Sequence, residues 1–291
     1  MYTNALPDRA YLEKRIDQAL REDGAEDDCT VAFLGLGERM TRGTLIAREY
    51  GVIAGIDLAR MVFSRMNPTI RFDAKIQDGE CVQEDDLIAL VAGPGSAILS
   101  AERVALNFMQ HLSGVATLTA KFVDVVRGTG VRILDTRKTT PLLRPLERYA
   151  VRVGGGNNHR YNLSDMILIK ENHVHMLGGP AALTAFLAAA NPDRKIEVEV
   201  DSIDFLRGLL GRRVARIMLD NFSPDEVRQA IGTIKAYQKK QPSFTPEIEV
   251  SGGVDLKNIK AYAMQGPDYI SIGALTHSAA ALDISPEVGP P

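Results

Sequence analysis

The sequence predicts a two-part α/β protein, with an α+β layer first and an α/β barrel after it. Three observations carry this. Alternating apolar runs mix with helical stretches through the first hundred residues; beyond Gly128, β-branched runs alternate with helices; and nearly every later run ends in a polar residue or glycine. The first pattern suits helices packed on a small sheet, and the second suits parallel strands joined by crossover helices. The third decides between an open doubly wound sheet and a barrel. Strand ends spread along an open sheet are useful only at a switch point, whereas in a barrel they converge on one mouth.

Taken in order, Pro7 with Tyr11, Leu12, Ile16, Ala19 and Leu20 predicts an amphipathic first helix with proline in its opening turn, ended by Gly24. TLIAREYGVIAG, TIRFDAKIQDGECV and DDLIALVAG predict strands, and IDLARMVFSRM between them has helical spacing. GPGSAILSAERVALNFMQHLSG opens a long helix with Ala105, Leu106, Met109 and Leu112 on one stripe. VRILD, MILIK, KIEVEV, ARIMLD, PEIEVSGG and YISIGA are the barrel strands. Among the helices between them, AALTAFLAAA is apolar, and SPDEVRQAIGTIKAYQKK starts on Ser223, Pro224 and a capping-box Glu226. Asp255 to Gly266 reads as a further helix, and the chain ends in a proline-rich stretch.

Composition narrows the class. Hydrophobic residues make up 45% and charged residues 24% of 291, and the net charge is -3, so no global basic field draws the chain to nucleic acid. The N-terminus has no apolar signal region and no run is long enough to span a bilayer, which makes cytoplasm the expected compartment, with no membrane partner. Cys29 and Cys81 share no short spacing and are expected as small buried hydrophobes.

Three groups of residues point to chemistry. The cations Arg137, Lys138, His159, Arg160 and Lys170 lie at strand ends or beside Gly154 to Gly156, with Arg103 on the preceding helix. A lysine directly after Met-Ile-Leu-Ile is hard to solvate unless it lines a cavity. Converging arginines and lysines suit a dicarboxylate or a phosphate. The acids Glu199 and Asp220, with Glu197, are either salt-bridge partners or holders of a divalent metal or sugar hydroxyls. Ser251-Gly252-Gly253 and Ile272-Gly273-Ala274 follow the last two strands, where barrels often bind phosphate. Together they indicate a phosphate-bearing polyanionic substrate with Mg²⁺. They do not name the reaction.

ALNFMQHLSGVAT, DTRKTTPLLRPLERYAVRVGGGNNHRYNLSDMILIKENH, IEVEV, IMLDNF, EVSGG and ISIGALTHS, in this order, strongly resemble the quinolinate phosphoribosyltransferases. The likeness runs from the first helix to about Ser278. The resemblance implies an N-terminal α+β sandwich (residues 1–112, with the tail 276–291 packed back on it) and a C-terminal open TIM-like barrel (113–275) carrying the active site. It implies transfer of a phosphoribosyl group from phosphoribosyl pyrophosphate to quinolinate, giving nicotinate mononucleotide, CO₂ and pyrophosphate in NAD biosynthesis. It further implies a homodimer with shared sites, or a hexamer built on it, in which Arg103 reaches into the neighbour's site. Arg137, His159, Arg160 and Lys170 would hold the quinolinate carboxylates. Thr136, Lys138, Glu199, Asp220, Ser251 to Gly253 and Ile272 to Ala274 would handle ribose, phosphates and metal, with Lys138, Lys170, Glu199 and Asp220 nearest the chemistry and Glu199 and Asp220 on Mg²⁺.

Leu142, Asn162 and Glu171 depart from the family's common residues, which affects loop shape and removes no charged ligand. A related protein of molybdate transport systems shares the TRKTTP stretch, and Lys170 with Asn172 favours the quinolinate enzyme over it. Lys170 as a Schiff-base lysine and a non-catalytic phosphate-binding barrel are the competing readings.

Overall fold

The computed structural model describes residues 5–37, 39–191 and 193–289. Along the chain run α1 (Arg9–Glu22), α2 (Cys29–Leu34), β1 (Met40–Ala47), β2 (Gly51–Val52), α3 (Ile56–Met66), β3 (Arg71–Ala74), β4 (Cys81–Val82), β5 (Leu87–Pro94) and α4 (Gly95–Val125). Then come β6 (Arg132–Leu134), α5 (Arg144–Val153), β7 (Ile167–Ile169), α6 (Glu171–Leu177), α7 (Pro180–Ala189), β8 (Ile196–Val200) and α8 (Ile203–Leu209). The chain closes with β9 (Arg216–Asp220), α9 (Pro224–Gln238), β10 (Glu247–Ser251), α10 (Ile259–Ala263), β11 (Tyr269–Ser271), α11 (Ala274–His277) and β12 (Ile284–Gly289).

Packing divides the chain into two units, one of residues 1–120, 139–155 and 275–291, the other of 121–138 and 156–274. The first holds an antiparallel sheet in the order β12-β1-β5-β3. Its helices bury period-matched stripes: Leu12, Ile16 and Leu20 on α1, Leu58, Val62 and Phe63 on α3, Leu106, Met109 and Leu112 on α4. Two buried hydroxyls on α4 take up backbone N–H groups that no strand partner meets: Ser113 accepts from Ala54 at 2.9 Å and Thr117 from Val52 at 2.8 Å. The tail folds back as an edge strand, with Arg42 to Ala47 paired to Gly289 to Ile284. Pro286 is tolerated because a sheet edge needs no N–H on its outer side. Pro290 and Pro291, the last residues of the expected tail, lie outside the described residues.

Residues 139–155 belong to this first unit, although the boundary at 112/113 places them with the barrel. The cause is specific packing. The buried Glu147 on α5 accepts from Thr140 N–H at 3.0 Å and meets His111 of α4 at 3.0 Å. Tyr149 donates to Asp78, and its hydroxyl pKa is pushed far up by burial and by that carboxylate.

The second unit is a six-stranded parallel sheet in the order β6-β11-β10-β9-β8-β7, with α7 to α10 packed in succession outside it. One face of each strand, such as Val198, Val200, Ile217, Leu219 and Val250, is buried and apolar. Strand alternation puts polar residues on the other face. There Glu197 lies opposite Arg216 and Arg216 opposite Glu247, while Glu199 lies opposite Met218 and Met218 opposite Glu249. Asp220 and Ser251 are opposite each other at the strand ends.

Three local expectations change. Pro7 stands before α1 and not in its opening turn, since Asp8 is the cap, its carboxylate accepting from Tyr11 N–H. Both cysteines are exposed, because Cys29 opens a short surface helix and Cys81 sits on a two-residue strand. The helix expected over Asp255 to Gly266 shortens to Ile259–Ala263, since Asp255 closes a turn by accepting from Lys257 and Asn258 N–H groups. The long helix opened by GPGSAILS runs on to Val125.

Candidate functional site

The C-terminal strand ends of the second unit gather the expected residues. After β6 the chain turns at Thr136, whose hydroxyl accepts from Lys138 N–H at 3.1 Å, which places Arg137 and Lys138 on the turn. Lys170 directly follows β7 and stands at the N-terminus of α6; its ammonium contacts Glu199 on β8. Asp220 ends β9 and Ser251 ends β10. Burial and the Glu199 charge push the Asp220 carboxyl above the usual carboxylate range, while Lys170 and Lys138 pull it back. Those influences agree with Lys138, Lys170, Glu199 and Asp220 lying at the same strand ends.

Arg160 forms the second focus. Burial and the neighbouring Arg137 lower its pKa, and its Nη1 donates to Met166 O at 3.1 Å. Two guanidiniums close enough to act on each other are the residue type that suits a ligand with paired negative charge.

The glycine turn is tight for a visible reason. A Cβ at Gly252, where φ is 89°, would lie 2.8 Å from Asn221 Cγ and from Asn221 N. Asn221 itself has φ of 58°, and its amide donates to Asp220 Oδ2 at 2.9 Å, so two adjacent strand ends lock together. Ile272 is buried with its N–H on Leu134 O at 3.0 Å, so only the backbone around Gly273 and Ala274 borders the mouth. Arg103 is exposed on α4 in the first unit.

His159 is placed differently from the other cations. Its ring points into the barrel, with Nε2 3.3 Å from both Glu197 and Glu249. Its Nδ1 accepts the Arg160 N–H at 2.7 Å. Burial alone would lower the imidazole pKa, but bonds to Glu197 and Glu249 and their charges push it up to about 9. An imidazolium would carry a second proton on Nδ1, where the Arg160 N–H already points, so the geometry supports the neutral ring with its one proton on Nε2 in spite of that upward push. Burial pushes both carboxyls up. For Glu249 the His159 bond and Arg216 outweigh burial and hold it low, whereas Glu249's charge adds to burial at Glu197. Arg216 Nη1 is 2.9 Å from Glu249 and 4.0 Å from Glu197, which agrees with an ionised Glu249.

Sequence reasoning missed Arg216 and Glu249. Their signal was the strand period: counting back two from Ser251 gives Glu249, and four from Asp220 gives Arg216.

The two acid clusters suit different cations. His159, Glu197 and Glu249 have metal-ligand chemistry and lie close enough to hold an ion. The Arg216 guanidinium already balances them, which leaves a divalent cation no unmet charge. Glu199 and Asp220 offer only oxygens, repel one another and open to the mouth, a donor set that fits Mg²⁺.

Sequence models of two domains match the chain: quinolinate phosphoribosyl transferase N-terminal domain over residues 28–113 and the C-terminal domain over 115–287. Nicotinate-nucleotide pyrophosphorylase (carboxylating) of Mycobacterium leprae is 42% identical over 273 residues, covering 92% of this chain and 94% of the relative. The probable enzyme of that name from Bacillus subtilis is 38% identical over 278 residues, 95% and 93% of the two chains. Among solved structures, NadC from Streptococcus pyogenes superposes with a TM-score of 0.89 at 36% identity, covering 98% of this chain and 99% of that one. The nicotinate-nucleotide pyrophosphorylase of Francisella tularensis gives 0.87 at 33% identity, over 99% and 100%.

Proposed function

The chain belongs to the quinolinate phosphoribosyltransferase family, and from that premise we propose how its own residues carry the reaction. The protein is a pentosyltransferase that makes nicotinate mononucleotide from quinolinate and phosphoribosyl pyrophosphate, with loss of CO₂, in NAD biosynthesis. The observation that supports the assignment of roles is the mouth itself, where the Lys170 ammonium contacts Glu199 and the charges of Lys170 and Lys138 act on Asp220.

In this reading Arg137, Arg160 and Lys170 take the two quinolinate carboxylates. Lys138, with the turn of Ser251 to Gly253 and the backbone of Gly273 and Ala274, takes the phosphates. Glu199 and Asp220 receive the ribose hydroxyls and would hold Mg²⁺, which supplies charge neutralisation on the pyrophosphate leaving group. The quinolinate nitrogen lone pair forms the bond to the anomeric carbon as the bond to pyrophosphate oxygen breaks. Positive charge developing on the sugar is met by the carboxylates beside it, and charge on the departing oxygens by Lys138. The ribosylated ring then acts as electron sink: the bond from C2 to its carboxylate breaks, CO₂ leaves, and the electron pair left at C2, stabilised by the adjacent ring cation, takes a proton from water. Aligning two anions does most of the work, so no protein nucleophile is required.

We also assign a homodimer in which Arg103 enters the partner's site; its exposure on α4 supports this. Two free, exposed cysteines support a reducing compartment, the cytoplasm. The roles are tested by substrate choice. Nicotinate lacks the 2-carboxylate, so quinolinate should be favoured at least a hundredfold in kcat/KM; equal use of both would contradict the pairing of Arg137 and Arg160 with a dicarboxylate.

A further inference from the structure

Beneath the mouth the barrel holds a charged core that the transfer chemistry does not use. Glu197 and Glu249 are both 0% exposed, and His159 lies between them with Nε2 at 3.3 Å from each. Arg216 locks Glu249 from below at 2.9 Å and continues to Glu247 at 3.0 Å. The Tyr269 ring supports this layer, with Arg216 4.2 Å from its centroid and its hydroxyl donating to Glu247 at 2.8 Å.

His159 is tied at two further points. Its N–H donates to the buried Asp135 Oδ1 at 2.7 Å, just beyond β6, and its Nδ1 receives the Arg160 N–H. One residue thus joins the end of β6 to the middle of β10 and the start of β8. The location matters because β6 and β7 are the two edges of the sheet, and residues 156–160 run along one of them. Asn157 pairs with Leu134, donating to Ile133 O at 2.8 Å and accepting from Asp135 N–H at 3.0 Å. A segment with ladder bonds on one side only depends on side chains to fix its other side. The His159 ring is what crosses the interior and fixes it to the opposite wall.

We propose that Glu249, charged and held by Arg216, is a positioning residue: through His159 it anchors the 156–160 segment and so sets the Arg160 guanidinium where a quinolinate carboxylate docks. The inference rests on the quinolinate reading. It explains why a barrel interior that apolar residues could fill keeps two carboxylates and an arginine, an arrangement seldom retained for stability alone. His159 then serves the substrate without offering it a nitrogen.

The test is steady-state kinetics of the whole enzyme with Glu249→Gln, which keeps the shape and removes the charge. The KM for quinolinate should rise about tenfold, while kcat and the KM for phosphoribosyl pyrophosphate stay within about twofold. The effect should not add to that of His159→Gln, because both sever one chain of contacts. Glu249→Asp, which keeps the charge but withdraws it by one methylene, should also raise the quinolinate KM, and serves if the glutamine variant does not fold. A lower melting temperature with an unchanged quinolinate KM, or additive effects of the two variants, would overturn the proposal and leave a purely structural core. Wild-type enzyme inactive on quinolinate would instead overturn the functional reading, and this inference with it.

Discussion

Lys170→Met separates binding from folding. The methionine keeps the aliphatic length and removes the charge that meets Glu199 and influences Asp220. In the folded protein the Lys170 side chain is 46% exposed, so the pair with Glu199 is well screened and contributes at most about 1 kcal/mol. For a unit of this size that is a melting shift of about 2–4 °C or less. A charge-assisted bond to a carboxylate of bound substrate is worth about 1.5–3 kcal/mol, so kcat/KM for quinolinate should fall roughly 10- to 150-fold. The pH dependence has a definite sign. Asp220 is an acid whose folded pKa is raised, chiefly by burial and then by Glu199, so its ionisation costs stability above that pKa, a cost that vanishes as pH falls towards the ordinary value of 3.8. Lys170 offsets part of the shift. Without it the window moves to higher pH, and the acid limb of the rate profile should move with it if ionised Asp220 is needed. Steady-state rates across pH, with thermal melts alongside, read both effects. A twofold or smaller loss of kcat/KM, or loss of activity only through unfolding, would refute the reasoning.

Other perturbations probe separate parts. Gly154→Ala places a Cβ against the Ala116 carbonyl and 2.8 Å from Thr119 Cβ, so a loss of about 1–3 kcal/mol is expected in urea titrations. Leu142, 70% exposed, has φ of 67°; Leu142→Gly should relieve about 1–2 kcal/mol of left-handed strain against about 0.5–1 kcal/mol of added chain entropy, leaving the melting temperature unchanged or higher. Arg103→Ala and Lys170→Met, each impaired alone, should recover activity when mixed and allowed to exchange subunits; no recovery would count against a shared site. EDTA should abolish turnover and added Mg²⁺ restore it, with little change in melting temperature.

Much of the barrel was legible because its strands are short, β-branched and punctuated. VRILD, MILIK, KIEVEV, ARIMLD, PEIEVSGG and YISIGA each contain one of β6 to β11. The capping box at Ser223 and Glu226 is present with both of its bonds. The edge strand β12 was harder to see, since Pro286 and its neighbours read only as a proline-rich end and pairing with β1 is what makes them a strand. The grouping of 139–155 with the first unit depends on Glu147 and His111, 36 positions apart, and no local pattern encodes such a contact. At the site, which residues reach the strand ends was readable, but where each side chain turns was not. His159 stands beside Arg160 in sequence, yet its ring faces inward, because the two glutamates that attract it lie on strands far along the chain.

The central claim is most directly tested by following one turnover to its products. With quinolinate labelled at the 2-carboxylate, phosphoribosyl pyrophosphate and Mg²⁺, released CO₂, pyrophosphate and nicotinate mononucleotide should appear in equal amounts. Folded protein that yields none of them, or nucleotide that keeps the labelled carboxylate, would contradict the account.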